Sequence, residues 1–137
     1  MGEVRVQARL ANATDEELVR RGALPVDQVR TYTADALVDT GAVSCCLPPF
    51  VAEQLGVSIA RHTAGQYADG RIERVAVTSP VRLEIQGRQV DLPMLVLGDE
   101  VLISQVALEM TDLLVDCQHR RLIPNPAHPD QPVLKVK

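Results

Sequence analysis

Aromatic side chains are scarce in this chain: two tyrosines, one phenylalanine and no tryptophan among 137 residues. That scarcity removes stacking platforms for single-stranded nucleic acid and leaves the core to Val, Leu and Ile. An excess of positive charge is also missing. With 14 Lys and Arg against 18 Asp and Glu the formal net charge is −4, which gives no electrostatic case for nucleic-acid binding. No apolar run approaches transmembrane length, and Met1–Leu10 alternates polar and apolar residues where a signal peptide would carry its apolar stretch. A cytoplasmic protein without a membrane partner is the expectation. Cysteines are few and odd in number (Cys45, Cys46 and Cys117), which argues against a disulfide framework. Neither they nor the scattered His62, His119 and His128 show metal-ligand spacing, so no metal or cofactor is expected. The thiols read as small buried hydrophobes.

What is present is a hydrophobic fraction of 46%, enough for one domain with its own core. Glu3–Leu10 alternates and reads as a strand. Asn12–Arg21 reads as a short helix, capped by a Thr14–Glu17 capping box and stopped at Gly22, with a solvated Asp15-Glu16-Glu17 face. Strands are predicted over Gln28–Val38, Val43–Leu47, Val57–Tyr67, Ile72–Ile85 and Arg88–Leu97. Asp69-Gly70 and Gln86-Gly87 supply the turns between the last three. Pro49–Leu55 should be a helix, with proline in its first turn and Gly56 at its end. A short helical turn is expected over Val106–Met110, and Asp112–Asp116 with Arg120–Ile123 reads as a closing hairpin. The chain is therefore mainly β. The domain spans residues 1–137: an N-terminal strand and helix (1–27), a core (28–126) and a Pro-rich tail (127–137), where Val133–Lys137 is a candidate edge strand.

The stretch with chemical promise is Ala36-Leu37-Val38-Asp39-Thr40-Gly41-Ala42. An apolar strand delivers an acid to a tight, uncharged turn, where the short Thr and bare Gly let a backbone or ligand approach. Asp39 reads as half of a catalytic carboxylate pair. Two carboxyls a few ångströms apart cannot both ionise cheaply, so such a pair shares one proton. The ionised member can then draw a proton from a water while the other protonates a substrate carbonyl. The remaining candidates for a second acid, Asp35, Asp69, Asp112 and Asp116, have no comparable apolar-strand-to-glycine setting. A two-fold dimer with Asp39 of each subunit at the axis is the simplest completion.

Together these residues resemble the retropepsin-like aspartic proteases, the single-domain relatives of pepsin, and more specifically their bacterial retroviral-like branch. The Asp-Thr/Ser-Gly-Ala pattern sits at Asp39–Ala42, a flap hairpin at Tyr67–Arg71, and the apolar-apolar-Gly signature at Leu102-Ile103-Ser104. The closing hairpin sits at Leu113–Asp116 and Arg121–Ile123. The likeness covers roughly Gln28–Pro126, and it departs at Ser104, where the family usually has glycine. It implies a retropepsin-like fold of closed, strongly bent sheets with one or two short helices. The implied activity is aspartic endopeptidase, acting on peptide or protein substrates as a homodimer. By resemblance, Asp39, Thr40 and Gly41 are catalytic: Thr40 braces the two loops across the dimer and Gly41 lies near the attacking water. Ala42, Tyr67, Ala68, Asp69, Gly70 and Ile103 would contact substrate. Val133–Lys137 or the first strand would supply the inter-subunit sheet. The competing reading is a catalytically silent dimeric peptide-binding module of the same fold, with Ser104 as its sign.

Overall fold

The computed structural model describes residues 2–136. Its eleven strands and three helices run β1 (Arg5–Asn12), α1 (Ala13–Arg20), β2 (Thr31–Asp39), β3 (Cys46–Leu47), α2 (Pro49–Leu55), β4 (Ile59–Gln66), β5 (Ile72–Thr78), β6 (Val81–Ile85), β7 (Arg88–Leu92), β8 (Leu95–Val96), β9 (Leu102–Ser104), α3 (Gln105–Thr111), β10 (Leu113–Asp116) and β11 (Arg121–Pro124). Nine strands form one sheet in the order β4-β5-β8-β3-β9-β2-β1-β6-β7, and β10-β11 stand apart as a hairpin. The sheet curls around an aliphatic core in which Leu10, Leu47, Leu55, Leu83, Ile85, Met94 and Ile103 are fully buried. The first strand lies between β2 and β6, so the N-terminal segment belongs to the middle of the sheet.

Local chemistry explains several boundaries. Pro49 opens α2, and Gly56 closes it in the left-handed region at φ 64° while donating its N–H to the Glu53 carbonyl. Gln86 and Gly87 both carry positive φ (52° and 79°), the two-residue turn that matches strand twist in a β-hairpin.

Other expectations need correction. The long run Ile72–Ile85 is two strands, because Ser79-Pro80 interrupts it and proline has no N–H for a ladder. Pro93 divides Arg88–Leu97 in the same way. Val43–Leu47 shrinks to Cys46–Leu47, its first residues remaining loop. The first helix is capped not by Thr14 but by Asn12, whose side chain accepts the Asp15 N–H at 3.1 Å and donates to the Leu55 carbonyl at 2.9 Å. Asp15 is not solvated. It is 4% exposed and receives three bonds from Arg30, from the backbone N–H at 3.0 Å and from two guanidinium nitrogens at 2.9 Å. That guanidinium holds the Asp15 carboxyl below the usual carboxylate range, outweighing the opposing effect of burial. Of the thiols, Cys45 and Cys46 are buried, but Cys117 is exposed in the β10–β11 turn. Residues 132–136 form no strand, and Lys137 lies outside the described residues.

Candidate active site

Asp39 ends β2, which runs parallel to β9 in the register Leu37↔Leu102, Val38↔Ile103 and Asp39↔Ser104. On its other side β2 pairs with β1. The acid therefore emerges from the middle of the sheet, with its strand held on both edges. The half-buried Asp39 accepts the Gly41 N–H on Oδ1 at 3.0 Å, and its carbonyl accepts the Ala42 N–H at 3.1 Å. A side chain at Gly41 would begin 3.4 Å from that same oxygen, so glycine leaves the carboxylate's flank open. The loop is tied to the next element by the Gln105 N–H, which donates to the Ala42 carbonyl at 3.0 Å.

Across from Asp39 stands the β4–β5 hairpin. Its tip closes through Tyr67 N–H to the Arg71 carbonyl (2.8 Å) and Gly70 N–H to the Tyr67 carbonyl (2.9 Å), with Gly70 at φ 88°. Asp69 Oδ1 accepts the Arg71 N–H at 2.9 Å, and the Arg71 guanidinium lies 4.4 Å from the Tyr67 ring centroid. Between loop and tip is a cavity of about 610 Å³, lined by Asp39, Gly41, Ala42, Gln66, Tyr67, Ala68 and Gly70. A second space of about 380 Å³ adjoins it through Gly41, Ala42, Gln66 and Tyr67, and continues to Val43, Ser44, Cys46, Val75, Leu95 and Leu97. Its walls carry no formal charge. Burial, reinforced by the neighbouring Cys45 and Asp39, pushes the Cys46 thiol up to about 11, so it stays protonated and is no nucleophile at neutral pH.

The structure thus brings Asp39, Gly41, Ala42, Tyr67, Ala68 and Gly70 around one cavity. Three other expected residues stand apart. Asp69 spends its carboxylate on the hairpin turn and does not line the cavity. Ile103 is fully buried behind the loop, where it packs in the core. Thr40 is exposed and lines a different groove, of about 890 Å³, with Leu108, Met110, Leu114, Val133 and Leu134. Sequence reasoning missed this groove because it assembles α3, β10 and the tail from separate stretches. It also missed the part that Cys46, Val75, Leu95 and Leu97 take beside the cavity.

The other acids are engaged elsewhere. Asp35 is exposed on β2, 3.8 Å from Arg5. Asp116 accepts from the His119 backbone and faces its ring and Arg121. Asp112, in the left-handed region at the end of α3, gathers the tail through Asn125 Nδ2 (3.0 Å), the Val133 N–H (3.0 Å) and His128 Nδ1 (2.6 Å). These partners, Asn125 foremost, hold its carboxyl at about 2. Among the described residues, Asp39 is the only acid lining the cavity, and no cluster of three or more His, Cys, Asp or Glu is arranged to hold a metal.

A family model described as aspartyl protease matches residues 23–112. Among solved structures, the retroviral protease-like domain of Ddi1 from Leishmania major superposes with a TM-score of 0.56 at 14% identity, covering 99% of this chain and 96% of that one. EIAV protease complexed with the inhibitor HBY-793 gives a TM-score of 0.53 at 19% identity, covering 79% and 86%. These likenesses identify the fold as retropepsin-like. No curated protein matches the chain.

Proposed function

Because the chain belongs to the aspartyl protease family, we propose that it is an endopeptidase active as a homodimer, each subunit contributing Asp39. The observation that carries this reading is a single half-buried carboxylate facing a hairpin-covered cavity that no other acid of the described chain reaches. One carboxylate is an incomplete site, and a two-fold axis beside Asp39 completes it with the same residue. Two such carboxyls share a proton. The ionised one takes a proton from the water between them as its oxygen attacks the peptide carbonyl carbon, while the protonated one gives its proton to the carbonyl oxygen. The resulting diol collapses as a proton passes to the leaving nitrogen and the C–N bond breaks.

Thr40 supports the dimer. It projects into a groove whose Met110, Leu114, Val133 and Leu134 are each at least 36% exposed, an apolar surface beside the place where the axis must pass. The substrate in this reading is an extended peptide lying between loop and hairpin, which closes over it and excludes water. Its apolar side chain enters the uncharged space walled by Val43, Cys46, Val75, Leu95 and Leu97. Ser104 gives no support to a silent binding module, since its hydroxyl caps α3 by accepting the Ala107 N–H at 3.2 Å.

A peptide library incubated with purified protein between about pH 3 and 7, where a shared-proton dyad works, is the direct test. Cleavage beside apolar residues, abolished by Asp39→Asn and Asp39→Ala with the fold intact, is expected. Equal turnover by Asp39→Ala would refute the reading.

A further inference from the structure

Ser104 stands where the apolar-apolar-glycine signature has glycine, and it is 1% exposed. A buried hydroxyl must be given partners, and this one has two. Its Oγ accepts the Ala107 N–H at 3.2 Å, and it lies 3.4 Å from Cys45 Sγ. The Ser104 backbone N–H also donates to that sulfur, at 3.4 Å. Cys45 closes the loop that Asp39 opens. In the sheet Ser104 is itself the register partner of Asp39, and the next residue, Gln105, holds the Ala42 carbonyl. The loop is thus fixed to residues 104–105 at its beginning, middle and end, and two of the contacts at its end converge on one sulfur. Glycine could supply the backbone contacts but neither of the hydroxyl ones.

We propose that Ser104 and Cys45 form a brace that sets the position of the Asp39 loop, with Ser104 as a positioning residue for the reaction. The proposal rests on the reading of Asp39 given above. Two loops that must bring carboxylates together across an axis tolerate little displacement, since a misplacement of about 1 Å can cost around a hundredfold in rate. The brace acts on the attacking geometry and not on substrate contact, so its loss lowers kcat and leaves KM in place. A helix cap alone would lower stability without that split.

The two roles separate by substitution. Cys45→Ala removes the sulfur but leaves the Ser104–Ala107 cap intact, whereas Ser104→Ala removes the cap and the hydroxyl's contact with the sulfur but keeps the backbone N–H donated to it. Each variant is expected to lose roughly tenfold in kcat with KM within about twofold, and the double variant to be no worse than the poorer single. Cys45→Ser, which restores a hydrogen-bonding atom, should recover most of the rate. Hydrogen exchange is the readout that needs no activity: the Gly41 and Ala42 amides should exchange roughly tenfold faster in both single variants, with β6–β7 amides unchanged. A fall in Tm with unchanged kcat and unchanged loop exchange would overturn the brace. If the wild-type protein cleaves nothing, the protease reading fails by itself. Loop exchange then still decides, faster exchange upholding the brace and unchanged exchange removing it.

Discussion

If the catalytic unit takes one Asp39 from each of two copies, mixing wild-type and Asp39→Asn protein has a quadratic signature. Asparagine keeps an Oδ1 that can accept the Gly41 N–H now held at 3.0 Å, so the loop should survive the change. Nor should dimerisation fail, because the asparagine amide N–H can donate across the axis in place of the proton that the two carboxyls share. A mixed dimer retains one carboxyl and lacks its acid–base partner, a loss of roughly 10²- to 10⁴-fold. At fixed total protein, with subunits free to exchange, activity should fall as the square of the wild-type fraction, leaving about one quarter at equal mixing. The assay is initial-rate cleavage of a fluorogenic peptide across a mixing series, after incubation long enough for exchange. A straight line through one half at equal mixing would mean that each chain carries a complete site, and the reasoning from a lone cavity acid would be wrong.

Asn12→Ala should destabilise the fold by roughly 2–4 kcal/mol in chemical denaturation, through loss of the α1 cap and of the donor to a buried Leu55 carbonyl. Thr14→Ala, at an exposed position, should change stability by less than about 0.5 kcal/mol. The depressed Asp112 carboxyl predicts acid release of the tail. Its contribution is present in full above the ordinary value of 3.8 and is lost as pH falls through about 2, so exchange at residues 125–134, corrected for intrinsic rates, should rise between pH 4 and 2. In Asp112→Asn that pH dependence should vanish. Tyr67→Ala should lower kcat/KM roughly 10- to 100-fold by removing the ring that lines both cleft spaces, whereas Arg71→Ala, which loses only the cation over that ring, should cost about threefold. Equal losses in steady-state assays would assign the role to charge.

Much of this site was legible because its signals are local. An acid between an apolar strand and glycine, Asp-Gly at a hairpin tip, and Pro49 with Gly56 around a helix each fix backbone geometry within a few residues. The cleft and its covering hairpin followed from them. What escaped depends on partners far along the chain. Asn12 and Thr14 are both good caps, and the choice falls to Asn12 because its amide also meets Leu55, 43 residues away. Asp15 sits in a charged run that looks solvated until Arg30 folds onto it. Pro80 in a long apolar run was the one available sign that β5 and β6 part, the first joining β4 and β8 and the second β1 and β7.

The placement of Thr40 is the least legible feature and the one with the most consequence. It directly follows Asp39, yet the two residues face different spaces: Asp39 lines the cleft under the hairpin, Thr40 the groove of α3, β10 and tail. Any two-fold axis that joins two Asp39 carboxylates must pass close to that residue pair, so the surface around Thr40 is where a second copy would meet the first. The contacts on that surface are distinctive, because Asp112 ties down Asn125, His128 and Val133 and thereby sets one wall of the groove. Arg88, 6% exposed, secures the same region by donating to the Thr111, Asp112 and His128 carbonyls at 3.1, 2.9 and 2.7 Å. The tail is thus held from both sides, which in the dimer reading lowers the ordering cost of association. In the dimer reading, loosening the tail should weaken assembly, and the activity lost should return at higher protein concentration. Loosening the Ser104–Cys45 brace should instead reduce the rate at every concentration.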